Sequence, residues 1–272
     1  MGYALANRRG KALNPRTGSA CDGKEGMKNA AEKVIPVSLE LGCKAPVIVM
    51  ADADIEKAAR DALNSRMANC GQVCICNERT YVQRAVYDQF IKALQKAAQE
   101  IVVGDPLQEG TIVGPKVSSA EKKHVDELLE TTVKQGGKIL WQAKLPQDPA
   151  LEKGHWVAPT IVTDLPEDAQ ILTEEVFGPV LPVVIFDTQE EVINKANAAE
   201  YGLSSYLYTR DLATALQISD QLEYGEVYIN RFGPEEINGF HAGWKLSGLG
   251  GDDGEYGYQL YIKRKTIYID YQ

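Results

Sequence analysis

The sequence predicts an α/β protein built on a mostly parallel sheet. Short apolar runs, which are typical of buried strands, alternate along the chain with segments whose apolar residues recur at helical spacing. The chain has 272 residues, of which 44% are hydrophobic and 25% charged. Its 24 glycines and 12 prolines are spread without a low-complexity run or an internal repeat. This length is sufficient for one large domain or two ordinary ones.

The first group of predicted elements lies between residues 46 and 134. Two runs predict strands, VIVM at 47–50 and RTYVQ at 79–83. Apolar residues at helical spacing predict three helices: ADADIEKAARDALNSRMAN, AVYDQFIKALQKAAQ and the segment that follows Ser118. Ser118 together with Glu121 matches a capping box, so the last of these helices is expected to begin there.

The second half of the chain repeats the alternation. PVVIFD at 182–187 predicts a buried strand, and TQEEVINKANAAEYG predicts a helix closed by Gly202. SYLYT, DLATALQISDQL and GEVYIN then predict a strand, a helix and a strand. Beyond Asn230 the pattern gives way to a glycine-rich loop, LSGLGGDDGEYG. The chain ends in KTIYID, which predicts a strand with alternating Ile267 and Ile269.

The charge and apolar pattern of the chain exclude several partners. A net charge of −9 argues against binding to nucleic acid or to an anionic membrane surface. No apolar run approaches the length of a membrane span, and the N-terminus MGYALANRRGKALNPRTGSA lacks the apolar centre of a signal peptide. We therefore expect a cytoplasmic protein whose partner is a small molecule or another protein. The five cysteines are expected to remain thiols.

Three cysteines are concentrated in the stretch NCGQVCIC at 69–76. The spacing of Cys70, Cys74 and Cys76 lacks the second ligand pair of a structural zinc site, and the three histidines supply none, so no metal site is expected. Free cysteines are commonly small core residues, which is the interpretation for Cys21, Cys70 and Cys76. Cys74 follows a Gly-Gln-Val sequence in a loop between a helix and a strand. On this pattern it is either a packing residue or a thiol presented for reaction.

A single carboxylate stands in the apolar stretch VSLELGCKAP at 37–46. Glu40 lies between Leu39 and Leu41, and desolvation there would raise its pKa toward that of a general base working near neutral pH. The alternative is an outward-facing glutamate, because Ser38 and Glu40 share one face of an alternating strand. The pattern alone favours this alternative.

Taken together, these motifs resemble those of the aldehyde dehydrogenase superfamily. LELGCK at 39–44 resembles the family's LELGGK, and GQVC at 71–74 resembles its GQxC loop at the usual spacing. Three more matches follow in the family's order: EEVFGPV at 174–180, GEVYIN at 225–230 and KLSGLG at 245–250. The segment NRFGPEEINGFHAGWKLSG is most similar to the branch that acts on lactaldehyde and glycolaldehyde.

The resemblance implies an NAD(P)-dependent oxidation of an aldehyde to a carboxylic acid. Cys74 would attack the carbonyl to give a thiohemiacetal, whose oxyanion would accept a bond from the Cys74 backbone N–H. Hydride transfer to the nicotinamide would leave a thioester, and Glu40 would activate the water that hydrolyses it. A small hydroxyaldehyde such as lactaldehyde or glycolaldehyde is the implied substrate.

The resemblance also implies residues that bind the cofactor. Gly18 and Ser19 belong to TGSACDG, which resembles the family's TGS-x3-G turn, where the cofactor pyrophosphate meets a helix N-terminus. Leu41 is a further cofactor contact, Glu175 would hold the nicotinamide ribose, and Phe177 would lie against the nicotinamide ring. NAD is the expected cofactor, although these motifs do not discriminate between NAD and NADP.

Two residues are implied at the substrate mouth. Glu235 and His241 fall in the loop that lines this mouth in the family, where a hydroxyl-bearing aldehyde would find hydrogen-bond partners. The alternatives are a solvated loop charge for Glu235 and a capping or packing role for His241.

The resemblance divides the chain into three parts: a remnant of a Rossmann-type cofactor domain at 1–42, a catalytic domain at 43–243, and a C-terminal loop with an oligomerisation strand at 244–272. We therefore expect a homo-oligomer. Cys43 replaces a glycine of the family motif, where its side chain either crowds the approach between Glu40 and Cys74 or is harmless.

The start of the chain departs further from the family. MGYALANRRGKALNPR has no strand pattern, where the family has an apolar strand before the TGS turn. The upstream part of the family's cofactor domain, with its adenosine-binding lysine and the asparagine of the oxyanion hole, has no counterpart in this sequence. A catalytically silent chain that folds and self-associates is therefore the alternative to an active dehydrogenase.

Overall fold

The computed structural model describes residue 10 and residues 12–271. The β-strands of this part are β1 (Asn14–Thr17), β2 (Val37–Glu40), β3 (Ala45–Val49), β4 (Asn77–Gln83), β5 (Lys138–Gln142), β6 (Thr160–Thr163), β7 (Val180–Phe186), β8 (Tyr201–Gly202), β9 (Ser204–Tyr208), β10 (Glu226–Ile229), β11 (Trp244–Lys245) and β12 (Gly248–Leu249). The α-helices are α1 (Ala20–Ala31), α2 (Ile55–Met67), α3 (Tyr87–Ala98), α4 (Ser119–Lys134), α5 (Gln189–Asn197), α6 (Leu212–Gln221) and α7 (Gly254–Gln259).

A seven-stranded sheet of order β10-β9-β3-β4-β7-β6-β5 forms the centre of the fold. Its strand pairs are parallel except for β5 with β6. Val47, Ile48 and Val49 of β3 are at most 1% exposed, because both faces of this central strand are covered. A strand buried on both faces is a continuous apolar run, which is why β3 and β7 were recognisable in the sequence. The mostly parallel α/β sheet is confirmed.

The helices begin where the sequence provides caps. Asp54 caps α2 by accepting a hydrogen bond from the Lys57 backbone N–H at 3.1 Å. Ser118 caps α4 in the same way, accepting from the Glu121 backbone N–H at 3.2 Å. Asp211 caps α6. None of the helices in the described part of the chain is long and apolar enough to cross a membrane.

A second sheet brings the two ends of the described chain together. It has the order β1-β2-β12, with β1 parallel and β12 antiparallel to β2, and α1 packs against it. This sheet therefore contains strands from two of the three predicted parts of the chain, residues 1–42 and residues 244–272. The division of the chain into three domains remains a prediction.

The expectation that no strand precedes the TGS turn is wrong for residues 14–17; residues 1–9 and 11 lie outside the described part. β1 pairs with β2 through backbone hydrogen bonds, which do not require apolar side chains. Its first side chain, Asn14, is buried and donates to the Gly26 carbonyl of α1 at 3.0 Å. A polar strand held in this way leaves no alternating pattern in the sequence.

The predicted closure of α5 at Gly202 is also wrong. The helix ends at Asn197, whose amide donates to the Gln221 carbonyl and accepts from the Glu223 backbone N–H, at 2.8 and 2.9 Å. Gly202 lies in β8 and pairs with β11. A Cβ at this position would lie 2.5 Å from the Glu223 carbonyl oxygen, so close strand packing requires the glycine there.

Two predictions near the C-terminus need correction. KTIYID is not a strand; this segment is irregular, with Ile267 70% and Ile269 66% exposed. β-Strands need a partner, and in the described structure no neighbouring strand pairs with these residues. A helix that the sequence did not predict, α7, begins at the end of the glycine-rich loop and extends to Gln259.

The interpretation of three cysteines as core residues holds for two of them. Cys70 and Cys76 are buried, at 1% and 2% exposure. Cys21 is exposed, because α1 buries the face that carries Gly23 and Gly26. The prediction for Cys21 is therefore wrong.

Candidate active site

The Cys74 loop, residues 68–76, connects α2 with β4. Asn69, Cys70 and Gly71 take left-handed backbone conformations, with φ of 47°, 59° and 72°. A Cβ on Gly71 would lie 2.4 Å from the backbone of Gly178, so only glycine fits at this crossing. The buried Arg66 side chain donates a hydrogen bond to the Gly71 carbonyl at 2.7 Å and so holds the loop in place.

The glutamine of the GQVC motif also fastens this loop. The side chains of Asn69 and Gln72 donate to each other's backbone carbonyls at 3.1 and 3.0 Å. The Gln72 side-chain oxygen accepts from the Val117 backbone N–H at 2.9 Å. These hydrogen bonds fix the loop that carries Cys74. The Cys74 residue is half-buried, so part of its surface remains accessible.

Glu40 ends β2 and faces the same region, where it is 7% exposed. Both carboxylate oxygens are buried without a hydrogen-bond partner among the described residues. Burial raises the pKa of Glu40 to about 7, partly opposed by the charge of His241. The outward-facing alternative is therefore wrong. Ser38 and Glu40 are both buried, because Gly250, which follows β12, lies against Ser38 and His241 lies against Glu40.

His241 links Cys74 with Glu40. Its Nε2 lies 3.5 Å from the nearer Glu40 oxygen, and the Cys74 side chain interacts with the ring. Its Nδ1 lies 2.9 Å from Glu226 Oε1. Hydrogen bonds to Cys74 and Glu226 raise the pKa of His241 to about 11. Sequence reasoning missed Glu226, since a glutamate at the start of a strand is ordinarily a solvated charge.

Glu175 lies against the LELGCK segment. Its Oε1 accepts from the Cys43 backbone N–H at 2.7 Å, and a Cβ on Gly42 would lie 2.3 Å from its other oxygen. Burial, with the nearby Glu78 charge, raises the pKa of Glu175 to about 7. The Cys43 side chain is fully buried in the core, 3.8 Å from the Ser204 carbonyl oxygen. This position supports the interpretation that Cys43 is harmless.

Phe177 has a left-handed backbone, with φ of 45°, and a half-buried ring. The Glu78 carboxylate accepts from the backbone N–H groups of Val176 and Phe177, at 2.8 and 3.1 Å. Lys116 donates to the Phe177 carbonyl, and its ammonium lies 5.4 Å from the centre of the ring. The loop that carries Glu175 and Phe177 is thus fixed by buried charges.

Gly18 and Ser19 stand at the N-terminus of α1, as the TGS turn predicts. The Asp22 carboxylate accepts hydrogen bonds from the Ser19 hydroxyl at 2.7 Å and from its backbone N–H at 3.3 Å. Asp22 N–H donates back to the Ser19 hydroxyl, and Arg16 pairs with the same carboxylate at 2.9 Å. These bonds lower the pKa of Asp22. The donors expected to meet a pyrophosphate are therefore occupied by the chain's own anion.

The side chains of Leu41 and Glu235 make no hydrogen bond to Cys74, His241 or Glu40 in the described structure. Leu41 is buried between α1 and the β12 segment, where a Cβ on Gly23 would lie 2.5 Å from its side chain. Glu235 is half-buried, and within the described contacts it forms no hydrogen bond with that group. A mostly apolar cavity of about 220 Å³ beside the Cys74 loop has Ile75, Tyr206 and Phe232 in its wall.

Among the described residues, no three or more histidine, cysteine, aspartate or glutamate side chains are grouped so that they could hold a metal ion.

Comparison with known proteins assigns the chain to a family. The sequence profile of the aldehyde dehydrogenase family matches residues 1–267. The chain belongs to this family, whose members use NAD or NADP. The chain is 43% identical over 268 residues to 3,6-anhydro-alpha-L-galactose dehydrogenase of Streptomyces coelicolor, covering 98% of this chain and 54% of that protein. It is 41% identical over 270 residues to lactaldehyde dehydrogenase of Escherichia coli, covering 99% and 56%.

Solved structures agree with this assignment. A structure of 3,6-anhydro-L-galactose dehydrogenase in complex with NAP superposes with a TM-score of 0.94 at 44% identity, covering 99% of this chain and 56% of that one. The crystal structure of lactaldehyde dehydrogenase from Escherichia coli gives a TM-score of 0.92 at 41% identity, covering 98% and 56%. The chain spans about half the length of the relatives that it matches.

Proposed function

We propose that this chain carries the acyl-transfer centre of an aldehyde dehydrogenase for small hydroxyaldehydes such as lactaldehyde or glycolaldehyde. The observation that carries the proposal is the convergence of Cys74, His241 and Glu40 at one site. Cys74 attacks the carbonyl carbon, and its backbone N–H donates to the oxyanion. Glu40, with a pKa of about 7, takes a proton from the water that hydrolyses the resulting thioester.

NAD or NADP supplies the hydride acceptor when it is bound. Glu175 and Phe177 fit the nicotinamide end, because a half-buried carboxylate and a half-buried ring on one fixed loop suit ribose hydroxyls and a flat heterocycle. The pyrophosphate end fits poorly, since Asp22 already accepts the bonds of Ser19. The substrate-mouth roles of Glu235 and His241 remain part of the proposal.

The proposal is tested by NADH formation from glycolaldehyde and from lactaldehyde. We expect turnover that is lost in Cys74→Ser, because a hydroxyl at this position is a far weaker nucleophile than a thiol. Cys21→Ser is the matched control, since Cys21 is an exposed thiol on α1. Turnover that survives in Cys74→Ser contradicts the proposal. A folded wild-type chain without turnover supports the silent alternative.

Removing the Asp22 charge is expected to strengthen dinucleotide binding. Asp22→Asn takes a negative charge away from the α1 N-terminus, where a like charge opposes a pyrophosphate. We expect the Kd for NAD, measured by calorimetry, to fall by about threefold to tenfold, the effect of one exposed like charge at close range. The control is Glu25→Gln, on the same helix, where Glu25 pairs with Lys28. Unchanged or weaker binding in Asp22→Asn would show that Asp22 does not oppose the cofactor.

Self-association remains a proposal for the C-terminal segment. Ile267, Tyr268, Ile269 and Tyr271 are each at least 66% exposed on an irregular stretch of chain. Exposed apolar side chains in an extended segment favour pairing with a second copy, because both its backbone and its side chains lack partners in the described structure.

A further inference from the structure

We propose that His124 is a positioning residue: its ring holds the peptide group that joins Glu175 to Val176, and this bond keeps the Glu175 carboxylate in its place beside Cys43. The inference rests on the proposed function in one respect, the assignment of Glu175 to the nicotinamide end of the cofactor. His124 lies on the second turn of α4 and belongs to none of the motifs that the sequence presented.

The His124 ring forms a direct hydrogen bond with the backbone of Glu175. Its Nε2 lies 3.0 Å from the Glu175 carbonyl oxygen. A carbonyl oxygen only accepts, so Nε2 carries the proton and the ring is the donor. The ring's other nitrogen, Nδ1, lies 3.7 Å from Oε1 of Glu174. The half-buried ring is thus placed between the backbone of one glutamate and the side chain of the preceding one.

The peptide group that His124 contacts is held at both of its polar atoms. Its carbonyl accepts from His124, and its N–H, which belongs to Val176, donates to Glu78 at 2.8 Å. No other hydrogen bond of the described residues reaches this carbonyl. His124 is therefore the partner on the α4 side, and Glu78 is the partner on the side of the buried ion network.

Fixing this peptide constrains the residues on either side of it. The Glu175 carboxylate accepts from the Cys43 N–H at 2.7 Å, so this residue is held by α4 at its carbonyl and by the segment between β2 and β3 at its side chain. Phe177, two residues further on, has a left-handed φ of 45°, which is uncommon for a residue other than glycine. Such a conformation persists only where the surrounding contacts determine it.

The helix that carries His124 is a rigid support. Val125, the next residue, is fully buried, and a Cβ on Gly178 would lie 2.5 Å from its side chain. Lys116, just before α4, donates to the Phe177 carbonyl. α4 and the residues before it thus contact the loop at Glu175, at Phe177 and at Gly178. Of the side chains that make these contacts, His124 is the one that can be exchanged without leaving a buried charge or a core cavity.

The titration of Glu175 reports where its carboxylate lies. Burial, with the Glu78 charge, raises its pKa to about 7. The titratable groups that face it come from several elements: Glu78 on β4, Arg66 on α2, Tyr201 on β8, and Lys44 and Cys43 between β2 and β3. None of these groups is altered by a substitution at His124. A carboxylate that is released into solvent would return toward its ordinary value of 4.5.

The test compares His124→Leu with His124→Gln. Leucine fills a similar volume but has no donor. The glutamine amide nitrogen lies about as far from the backbone as Nε2 does, and it can donate to the same carbonyl. The pKa of Glu175 is measured by NMR of 13C-labelled glutamate side chains, with Glu175→Gln to assign the signal. Amide hydrogen exchange at Val176 and Phe177 is measured on the same samples.

In His124→Leu we expect the Glu175 pKa to fall by about one pH unit or more, because the carboxylate gains access to solvent. We expect exchange at the two amides to accelerate by about threefold to tenfold, the effect of losing one hydrogen bond. His124→Gln should restore both values to those of the wild type. Lys123→Leu is the matched control, since Lys123 is an exposed residue on the same helix and pairs with Glu127.

The titration decides the positioning role. A lowered Glu175 pKa in His124→Leu that His124→Gln restores supports it, because a residue that contributed only to global stability would leave this value unchanged. An unchanged Glu175 pKa in folded His124→Leu overturns it. An equal fall in both variants also overturns it, since the ring's volume rather than its hydrogen bond would then matter.

Binding of two cofactor fragments separates this inference from the proposed function. Nicotinamide mononucleotide carries the end assigned to Glu175, and ADP carries the pyrophosphate end. Where the proposed function holds, His124→Leu should raise the Kd of the first by about threefold to tenfold and leave that of ADP unchanged. A wild-type chain that binds no nicotinamide mononucleotide contradicts the cofactor role of Glu175. A Glu175 pKa that still depends on the His124 donor would support the positioning role in that case as well.

Discussion

Replacing Glu78 by alanine will lower the free energy of unfolding by about 3–5 kcal/mol, the usual effect of removing one partner from a buried ion pair. Glu78 is 2% exposed, and its two oxygens lie 2.5 Å from Arg66 and 2.7 Å from Lys44. Both cations are fully buried. Without the carboxylate, two positive charges would remain in the core without compensation, and their desolvation would oppose folding.

The effect of this substitution extends to the candidate site. Arg66 also holds the Gly71 carbonyl, and Glu78 also holds the backbone of Val176 and Phe177. One carboxylate therefore joins the Cys74 loop to the loop with the predicted cofactor residues. We expect Glu78→Ala to loosen both loops together, with faster amide hydrogen exchange at each.

Urea denaturation at pH 7 measures this prediction, and Asp187→Ala is its control. Asp187 pairs with Arg84 at the surface, where an ion pair contributes little to stability. The urea midpoint of Asp187→Ala should therefore stay close to that of the wild-type chain. The buried cations lower the pKa of Glu78 to about 2. Its contribution is therefore complete above about pH 4.5 and is lost as the pH falls toward 2. Equal midpoints for the two variants would mean that the buried network does not stabilise the fold.

The sequence predicted those parts of the structure that depend on local pattern or on a motif. β3 and β7 were recognisable because strands covered on both faces are apolar throughout. Cys74 and Glu40 were candidates because their motifs occur at a characteristic spacing. These signals are contained within short stretches of chain.

Features that depend on distant segments were not predictable in this way. Glu40 appeared outward-facing because alternation indicates exposure only when one face of the strand is open to solvent. In the fold, His241 and Gly250 lie against that face. The sequence gave no indication of Glu226, because its contact with His241 forms only when the loop after β10 folds back onto the strand. Asp22 occupied a variable position of the TGS-x3-G motif, although its carboxylate takes the bonds of Ser19.

Glu40→Gln is expected to stabilise the fold at pH 8 by about 2–3 kcal/mol, while it has little effect at pH 4. Burial raises the pKa of Glu40 from 4.5 to about 7, and each pH unit corresponds to about 1.4 kcal/mol. A raised pKa means that the folded state binds the proton more tightly than the unfolded state. The contribution of Glu40 is therefore complete below about pH 4.5 and is lost as the pH rises through 7.

Glutamine removes this pH-dependent loss because it carries no charge. The pKa of about 7 already includes the attraction to His241, 3.5 Å away. The estimate is somewhat below the full difference because a glutamine amide at this buried position would lack a hydrogen-bond partner, as both Glu40 oxygens do. Urea denaturation of wild type and variant at pH 4 and pH 8 measures the effect, with the exposed Glu109→Gln as control. A difference that is the same at both pH values would mean that Glu40 does not titrate near neutrality in the folded chain.

The same variant tests whether this instability serves catalysis. If Glu40 activates water, the more stable variant should accumulate the thioester on Cys74 after an acyl donor is added, because its hydrolysis lacks a base. Intact-mass spectrometry would detect the acyl adduct. A variant that is more stable at pH 8 and also retains the adduct would connect the buried Glu40 carboxylate to hydrolysis. Rapid loss of the adduct in Glu40→Gln would leave this carboxylate without a catalytic role, and another group would have to activate the water.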